Sequence, residues 1–311
     1  MSFDWPDHGA VTYRLWRLRR LVALSLLCVA LGALVGQSLA DGGRTEVVGV
    51  MLFAWLVVTL HIIVFPNATN ESVGLAFCLP VVVLAAAPVA ARAEVAFGLG
   101  EDVAGLLTSF VMMVGLAICV GSVVWLGAAL SRMGPFLGWR IRASGHVGCS
   151  PLIAKQQFAL VPQSRRGRIL TGEANAKGVF DVAVASAQEN DPRLPDLPLV
   201  ARLDAKVLSS DDNHHEVELF LQNGRVTRTR QEFRATDGGC EVTVTDLPGD
   251  FTLGMHLRFW LLDMAQDNLT EVFDVIEGRP ERAIGLAHGQ SMSRILGRLA
   301  RNGWRGAGQE R

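Results

Sequence analysis

The chain has 311 residues, half of them apolar and only 19% charged, with a formal net charge of −1 at neutral pH. That balance excludes general electrostatic attraction to nucleic acid, and the apolar content excludes a disordered chain. The charges are unevenly divided: residues 21–131 hold two basic and six acidic side chains, whereas residues 143–311 hold 20 and 22. The first part reads as lipid-solvated and the second as a water-solvated domain, which also excludes a purely soluble enzyme and a secreted disulfide scaffold.

An N-terminal segment, 1–20, leads into four apolar runs: Leu21–Ala40, Val47–Phe65, Val73–Ala91 and Val103–Leu130. None contains Asp, Glu, Lys or Arg. Each has at least 19 residues, and roughly 20 helical residues cross a hydrocarbon layer of about 30 Å. Residues 21–131 are therefore expected to form a four-helix transmembrane region. Arg14, Arg17, Arg19 and Arg20 precede it and Arg132, Arg140 and Arg142 follow it, while the two far-side loops carry one Arg each and five acids together. Basic flanks stay in the cytoplasm, so both termini are expected inside. Ser38-Leu39-Ala40 resembles a signal-peptide cleavage site, but cleavage there would still leave three spans and a cytoplasmic C-terminal domain.

Within the spans, Gly32 and Gly36 form a GxxxG spacing, and Ala117 with Gly121 is similar. Small residues one turn apart let helix backbones approach, inside the bundle or across a dimer seam. Pro80 and Pro88 should kink the third helix. Trp5, Trp16 and Trp139 fall near the expected headgroup levels. His61 is an ionisable group inside a span; with no carboxylate in any span, hydrogen-bonded packing suits it better than a proton relay. Cys28, Cys78, Cys119, Cys149 and Cys240 show no CxxC or Cys/His ligand spacing, so no metal and no cofactor is expected. Three lysines accompany 26 arginines in a chain rich in Ala, Val, Gly and Leu. That usage reads as a GC-rich bacterial genome and places the chain as a multi-pass protein of the bacterial inner (plasma) membrane.

A linker over 132–149 precedes the soluble domain, expected over 150–277. Pro151–Leu160 reads as a short helix capped by Ser150, with Pro151 at its first position. Strand patterns follow at Arg168–Ala174, Val179–Ala187, Val200–Leu208, Glu216–Leu221, Arg225–Ala235 and Cys240–Leu247, with Asn223-Gly224 and Asp237-Gly238-Gly239 as turns. The stretch from Arg225 to Ala235 carries polar groups on both faces, so one face is expected to border a wet groove or cavity. His214-His215 beside Asp211 and Asp212 reads as a solvated loop. Phe251–Ile276 places Leu253, Leu257, Trp260, Leu261, Met264, Val272, Phe273 and Ile276 at helical steps, the stripe of one long amphipathic helix. Its opposite face, Asp263, Asp267, Glu271 and Asp274, reads as solvated.

The expected fold class is thus a membrane all-α region plus an α+β domain, an antiparallel curved sheet gripping a long C-terminal helix. Residues Ser150 to Ile276 resemble the helix-grip superfamily of START-like and polyketide-cyclase-like domains (SRPBCC). The resemblance is carried by the Ser150-Pro151-Leu152-Ile153-Ala154 helix opening, Gly167-Arg168-Ile169-Leu170-Thr171-Gly172, Gly239-Cys240-Glu241-Val242-Thr243-Val244 and the final helix. The superfamily's initial strand looks short or missing around Ile141–Gly148. The resemblance implies an apolar cavity between sheet and helix that holds lipids, sterols or polyketides, in some members with cyclisation.

No Gly-x-Ser-x-Gly, Walker loop or Gly-x-Gly-x-x-Gly precedes a helix, so no catalytic residue is nominated. Ligand-binding candidates are Arg228 and Arg230, which share a strand face and could meet an anionic head group, and Trp260 and Met264 of the helix stripe. Cross-strand pairing of the arginines with acids such as Glu218 is the other reading. The tail, 278–311, holds seven basic and two acidic residues. Arg294, Arg298, Arg301 and Arg305 line one side of an amphipathic pattern and are expected at the membrane surface. Expected partners are membrane lipids, an apolar ligand, and a membrane-protein partner or a second copy; no nucleic acid is expected. The leading expectation is a membrane-anchored protein whose cytoplasmic domain binds a hydrophobic or lipid-like ligand. The alternatives are an accessory or assembly subunit that uses the domain for docking, and a cyclase/dehydratase-like enzyme.

Overall fold

The computed structural model describes residues 5–40, 44–98, 100–190, 197–280, 282–286, 291, 292 and 295. The chain divides into two compact units, Met1–Leu130 with Gln290–Arg311, and Ser131–Gly289.

The first unit is helical. It holds α1 (His8–Arg17), α2 (Arg19–Ala40), α3 (Arg44–Val64), α4 (Thr69–Phe97) and most of α5 (Glu101–Arg132). Helix α1 opens on Asp7, whose carboxylate accepts the Ala10 N–H at 2.7 Å. Among the described residues, four helices are long and apolar enough to cross a membrane, over Arg19–Ser38, Val47–Val64, Thr69–Ala86 and Asp102–Ala129. A methyl group on Gly32 would collide with the Phe77 carbonyl, and one on Gly36 would crowd Leu84. The GxxxG spacing therefore serves close packing of α2 on α4 inside the bundle. Nothing approaches Gly121. One sequence expectation needs correcting, because a carboxylate does meet His61. The tight turn after α3 brings the first turn of α4 alongside, so His61 Nδ1 lies 3.0 Å from Ser72 Oγ and Nε2 lies 3.5 Å from the buried Glu71 carboxylate.

The second unit is an eight-stranded antiparallel sheet with three α-helices. In chain order it runs β1 (Ile141–Val147), α6 (Pro151–Phe158), β2 (Arg165–Arg166), β3 (Ile169–Thr171), β4 (Val179–Asn190), β5 (Pro198–Asp211), β6 (His214–Phe220), β7 (Val226–Thr236), β8 (Gly239–Leu247), α7 (Leu253–Leu261) and α8 (Met264–Ile276). Spatial order is β1-β8-β7-β6-β5-β4-β3-β2. Strands β2 to β8 form a meander, and β1 closes its far side by pairing with β8 from Ile141↔Asp246 to Val147↔Cys240. This is the α+β helix-grip arrangement, with α8 and α6 packed on one face of the sheet.

The segment expected as a linker thus contains the initial strand. Its inward positions are Ala143, Gly145 and Val147, so two of three carry almost no side chain and the usual apolar alternation is faint. The small residues have a reason. A Cβ on Gly145 would fall 2.6 Å from the Phe273 ring and 3.3 Å from Leu269. Helix α8 seats itself in that notch, and Leu269 and Phe273 join Val147, Phe158, Phe233 and Val242 in the core.

The expected single rod over Phe251–Ile276 is two helices. Asp263 adopts a left-handed backbone (φ 51°, ψ 37°) between them. The apolar stripe divides accordingly: Leu261, Leu262, Leu269 and Phe273 are buried, while Leu253, Leu257 and Trp260 are exposed. The acidic face of α8 is also not solvated. Asp267 accepts the Ile284 and Gly285 N–H groups at 2.9 and 2.8 Å, and fully buried Asp274 pairs with Arg282. Glu271 receives two bonds from Arg168, at 2.8 and 3.0 Å. The chain after α8 folds back and supplies the donors to Asp267 and Asp274, which helical periodicity alone does not reveal.

A Gly145→Val substitution forces a branched side chain into the space held by Phe273. We expect a loss of about 1–3 kcal/mol, typical of an overpacked core, measured as a lower unfolding midpoint of the full chain in detergent. Gly121→Val, where space is open, should leave the helical unit's midpoint unchanged.

Candidate functional site

Between the sheet and α8 lies a cavity of about 200 Å³. The sheet contributes Ala143, Thr229, Gln231, Val244 and Asp246; α8 contributes Ala265, Asn268, Leu269 and Val272; Phe158 and Arg166 close one side. The lining follows from strand parity. On β7 the inward positions are Thr227, Thr229, Gln231 and Phe233, and on β8 they are Cys240, Val242, Val244 and Asp246. On β7 three of these four are polar, whereas on β8 Asp246 ends an otherwise apolar series.

Three of these polar groups are chemically distinctive. Thr229 stands opposite Asp246 across the β7–β8 pair, and its hydroxyl donates to the carboxylate at 2.6 Å. Burial pushes the Asp246 carboxyl above the ordinary range, and the Thr229 bond only partly offsets this. Gln231 uses its amide N–H on the Phe158 carbonyl at 3.2 Å, which leaves its buried side-chain oxygen without a partner among the described residues. Arg166, on the two-residue strand β2, donates to the Gln157 carbonyl at 2.5 Å. Burial lowers its pKa, yet a guanidinium stays charged. The cavity therefore offers a cation, a carboxyl whose pKa burial raises and an open acceptor, facing Val244, Ala265, Leu269 and Val272.

The four ligand-binding candidates are not brought together here. Arg228 and Arg230 occupy the opposite parity of β7 and are exposed. Arg228 bonds Glu218 at 2.6 Å and lies 3.6 Å from Glu216, and Arg230 bonds Glu232 at 2.8 Å. Trp260 is exposed on α7, and Met264 is half-buried at the start of α8. The membrane-surface candidates Arg294, Arg298, Arg301 and Arg305 lie outside the described residues. The expectation of a wet face on the Arg225–Ala235 strand points at the right strand, through Thr229 and Gln231. Arg166, Asp246 and Asn268 were not singled out. For Asp246 the signal was available, since it continues the inward register of Val242 and Val244.

His214 and His215 are also not in a loop. Both begin β6, and their side chains take opposite faces. His215 is fully buried, with Nε2 3.1 Å from the Leu160 carbonyl and Nδ1 3.3 Å from Ser210 Oγ. The carbonyl can only accept, so Nε2 carries the hydrogen. Burial pushes its pKa below the ordinary value, with Lys155 and Arg166 adding to the effect. No group of three or more His, Cys, Asp or Glu able to hold a metal occurs among the described residues.

No family model matches the chain, and no curated protein matches it. Solved structures do. A structural-genomics protein from Mesorhizobium loti is 9% identical, with 45% of this chain covering 95% of that one at a TM-score of 0.31. Ara h 8.0201 is 16% identical, with 45% and 95% covered and a TM-score of 0.30. A protein from Bordetella parapertussis, solved in solution, is 14% identical, with 49% and 83% covered and a TM-score of 0.34. At these scores the fold assignment rests on the strand order and helix placement above.

The shifted groups His215 and Asp246 act in opposite senses. His215 has its folded pKa below the unfolded one, so its contribution is full above about pH 6.5 and is lost as pH falls. Asp246 has its folded pKa raised, so its contribution holds at low pH and fades as pH rises through the elevated value. We expect His215→Gln to flatten the loss of thermal midpoint between pH 7.5 and 5.5. Asp246→Asn should raise the midpoint near pH 7 by about 2–4 °C for each kcal/mol of relieved desolvation. Differential scanning fluorimetry across pH checks both.

Proposed function

We propose that this chain is a multi-pass protein of the bacterial inner membrane whose cytoplasmic helix-grip domain binds a small amphipathic ligand in the cavity under α8. One observation carries this reading. The cavity joins an apolar wall to a half-buried cation, a carboxyl and a side-chain carbonyl oxygen without a partner among the described residues, and pockets that bind small molecules combine these features. The reading of the membrane half is supported by four helices of sufficient length and apolarity. Its orientation rests on the arginines that flank them.

Size narrows the ligand class. Small-molecule pockets commonly measure about 300–1,000 Å³, and this one holds about 200 Å³. An intact two-chain lipid or a sterol does not fit whole. A lipid-derived molecule with a short apolar body and an acidic or hydroxyl head does, its head toward Arg166, Asp246 and Gln231. Apolar burial against α8 would contribute about 25 cal/mol per Å², and the charge-assisted bond to Arg166 would fix the head.

A second reading has its own observation. A carboxyl whose pKa burial raises, within the same cavity as a guanidinium, is the pattern by which acid–base sites are recognised. On that reading Asp246 is the proton donor or acceptor of a cyclase- or dehydratase-like reaction.

Native mass spectrometry of the full chain purified in mild detergent, followed by extraction, should show a small amphipathic molecule bound one to one. Ala265→Trp, which fills the cavity, should abolish its co-purification while leaving the fold intact. An empty wild-type cavity would remove the binding reading. Asp246→Asn separates the two readings, because a binder keeps its ligand and an enzyme loses turnover with its ligand still bound.

A further inference from the structure

Helix α7 does not cover the sheet. Its residues Leu253, Leu257 and Trp260 recur at i, i+4 and i+7, on one side of the helix, and are 49%, 58% and 56% exposed. Such a stripe is an expensive thing to leave in water. The opposite side is held firmly: His256 is buried, its Nε2 2.6 Å from the Leu137 carbonyl, and Phe251 packs edge-on against His256 and Phe259. The outward direction of the stripe is therefore fixed by the fold.

What lies beside α7 is the chain emerging from α5. Thr252 caps α7 on the Met255 N–H, and its hydroxyl also lies 2.7 Å from the Ser131 carbonyl. Phe136 bridges to Thr252, and the Leu137 N–H donates to the Phe251 carbonyl at 2.9 Å. Ser131 directly follows the apolar run that ends at Leu130. Hydrogen bonds thus tie the N-terminus of α7 to the residue at which the chain would leave the bilayer. The same emerging segment exposes Met133, Phe136 and Trp139. Residues 131–140 and 251–262 together contain Arg132, Arg140 and Arg258, while Asp250 and Asp263 flank the second stretch.

We infer that α7 is an interfacial helix, lying with Leu253, Leu257 and Trp260 in the cytoplasmic leaflet of the bilayer that anchors the chain. The occupant is a lipid surface with anionic headgroups. The stripe is apolar with a terminal Trp, the arginines around it outnumber Asp250 and Asp263 by one, and chain continuity at Ser131 holds it at membrane level. This rests on the membrane-anchored reading above but needs neither the cavity nor its ligand. It also accounts for the left-handed break at Asp263, which frees α7 from the stripe direction that α8 uses on the sheet.

The test places p-benzoylphenylalanine at position 257 of the full chain, reconstituted in vesicles of phosphatidylcholine and phosphatidylglycerol, with position 177 in the exposed β3–β4 loop as control. Irradiation should give a lipid adduct at 257 and none at 177. A covalent dimer at 257 would show that a second copy covers the stripe, and the absence of any lipid adduct would show that it faces water or protein; either overturns the proposal. Alkaline carbonate treatment of the same vesicles separates the two possible failures. A chain that stays in the membrane yet gives no lipid adduct refutes only the placement of α7. A chain released by carbonate refutes the anchor, and the placement falls with it.

Discussion

The second unit is organised around the seating of α8 in the notch at Gly145. A helix can close on a sheet only where its side chains find depth, and β1 provides it by offering Ala143 and Gly145 under Leu269 and Phe273. The acids on the far side of α8 then hold the returning chain through Asp267 and Asp274. The helix is thus clamped on two sides, by apolar contact below and by charge-assisted bonds above. A buried carboxylate is tolerated only when its hydrogen bonds are supplied, so the returning segment and the helix require each other. The cavity is the space left where this clamped helix does not reach the sheet.

The break at Asp263 follows from the same constraint. A non-glycine residue in the left-handed region costs roughly 1–2 kcal/mol, and something must offset it. One straight helix would have to direct both halves of its stripe at one sheet, but that sheet already has α6 and α8 on its covered face. Breaking the helix lets α8 keep the notch while α7 bonds to the segment after Ser131.

Much of this fold was legible in the sequence, and the exceptions share a cause. The strands β4 to β8 announce themselves through β-branched alternation and Asn-Gly or Asp-Gly turns, and the apolar runs stand out because no charge interrupts them. What escaped was everything decided by contact partners distant along the chain. Strand β1 is hidden because small residues are needed beneath Phe273. His215 resembles a loop residue beside Asp211 and Asp212, yet the Leu160 carbonyl, 55 residues away, gives it a buried place. Glu71 looks like a flanking acid until the α3–α4 turn sets it beside His61. In the cavity the relevant strand was recognised, but charge drew attention to Arg228 and Arg230, whereas parity assigns the inner face to Thr229 and Gln231. Parity is a geometric rule, and charge is only a property of the residue.

Energetics give the cavity its meaning. A dry void costs about 24 cal/mol per Å³, so on the order of 5 kcal/mol would attach to a dry space of about 200 Å³, a large part of the ~5–15 kcal/mol that keeps an ordinary domain folded. Polar lining lets water enter and lowers that cost, but it adds another, because Asp246 and Gln231 Oε1 are withdrawn from bulk solvent without full replacement of their bonds. A core selected for stability alone would place Val or Leu at 231, beside Phe233, and at 246, where β8 would continue the series of Val242 and Val244. Keeping polar groups there sacrifices stability at two cavity-lining positions, a pattern that fits the proposed binding site. The same reasoning distinguishes these residues from Arg228 and Arg230, whose ion pairs lie in solvent and cost the fold little.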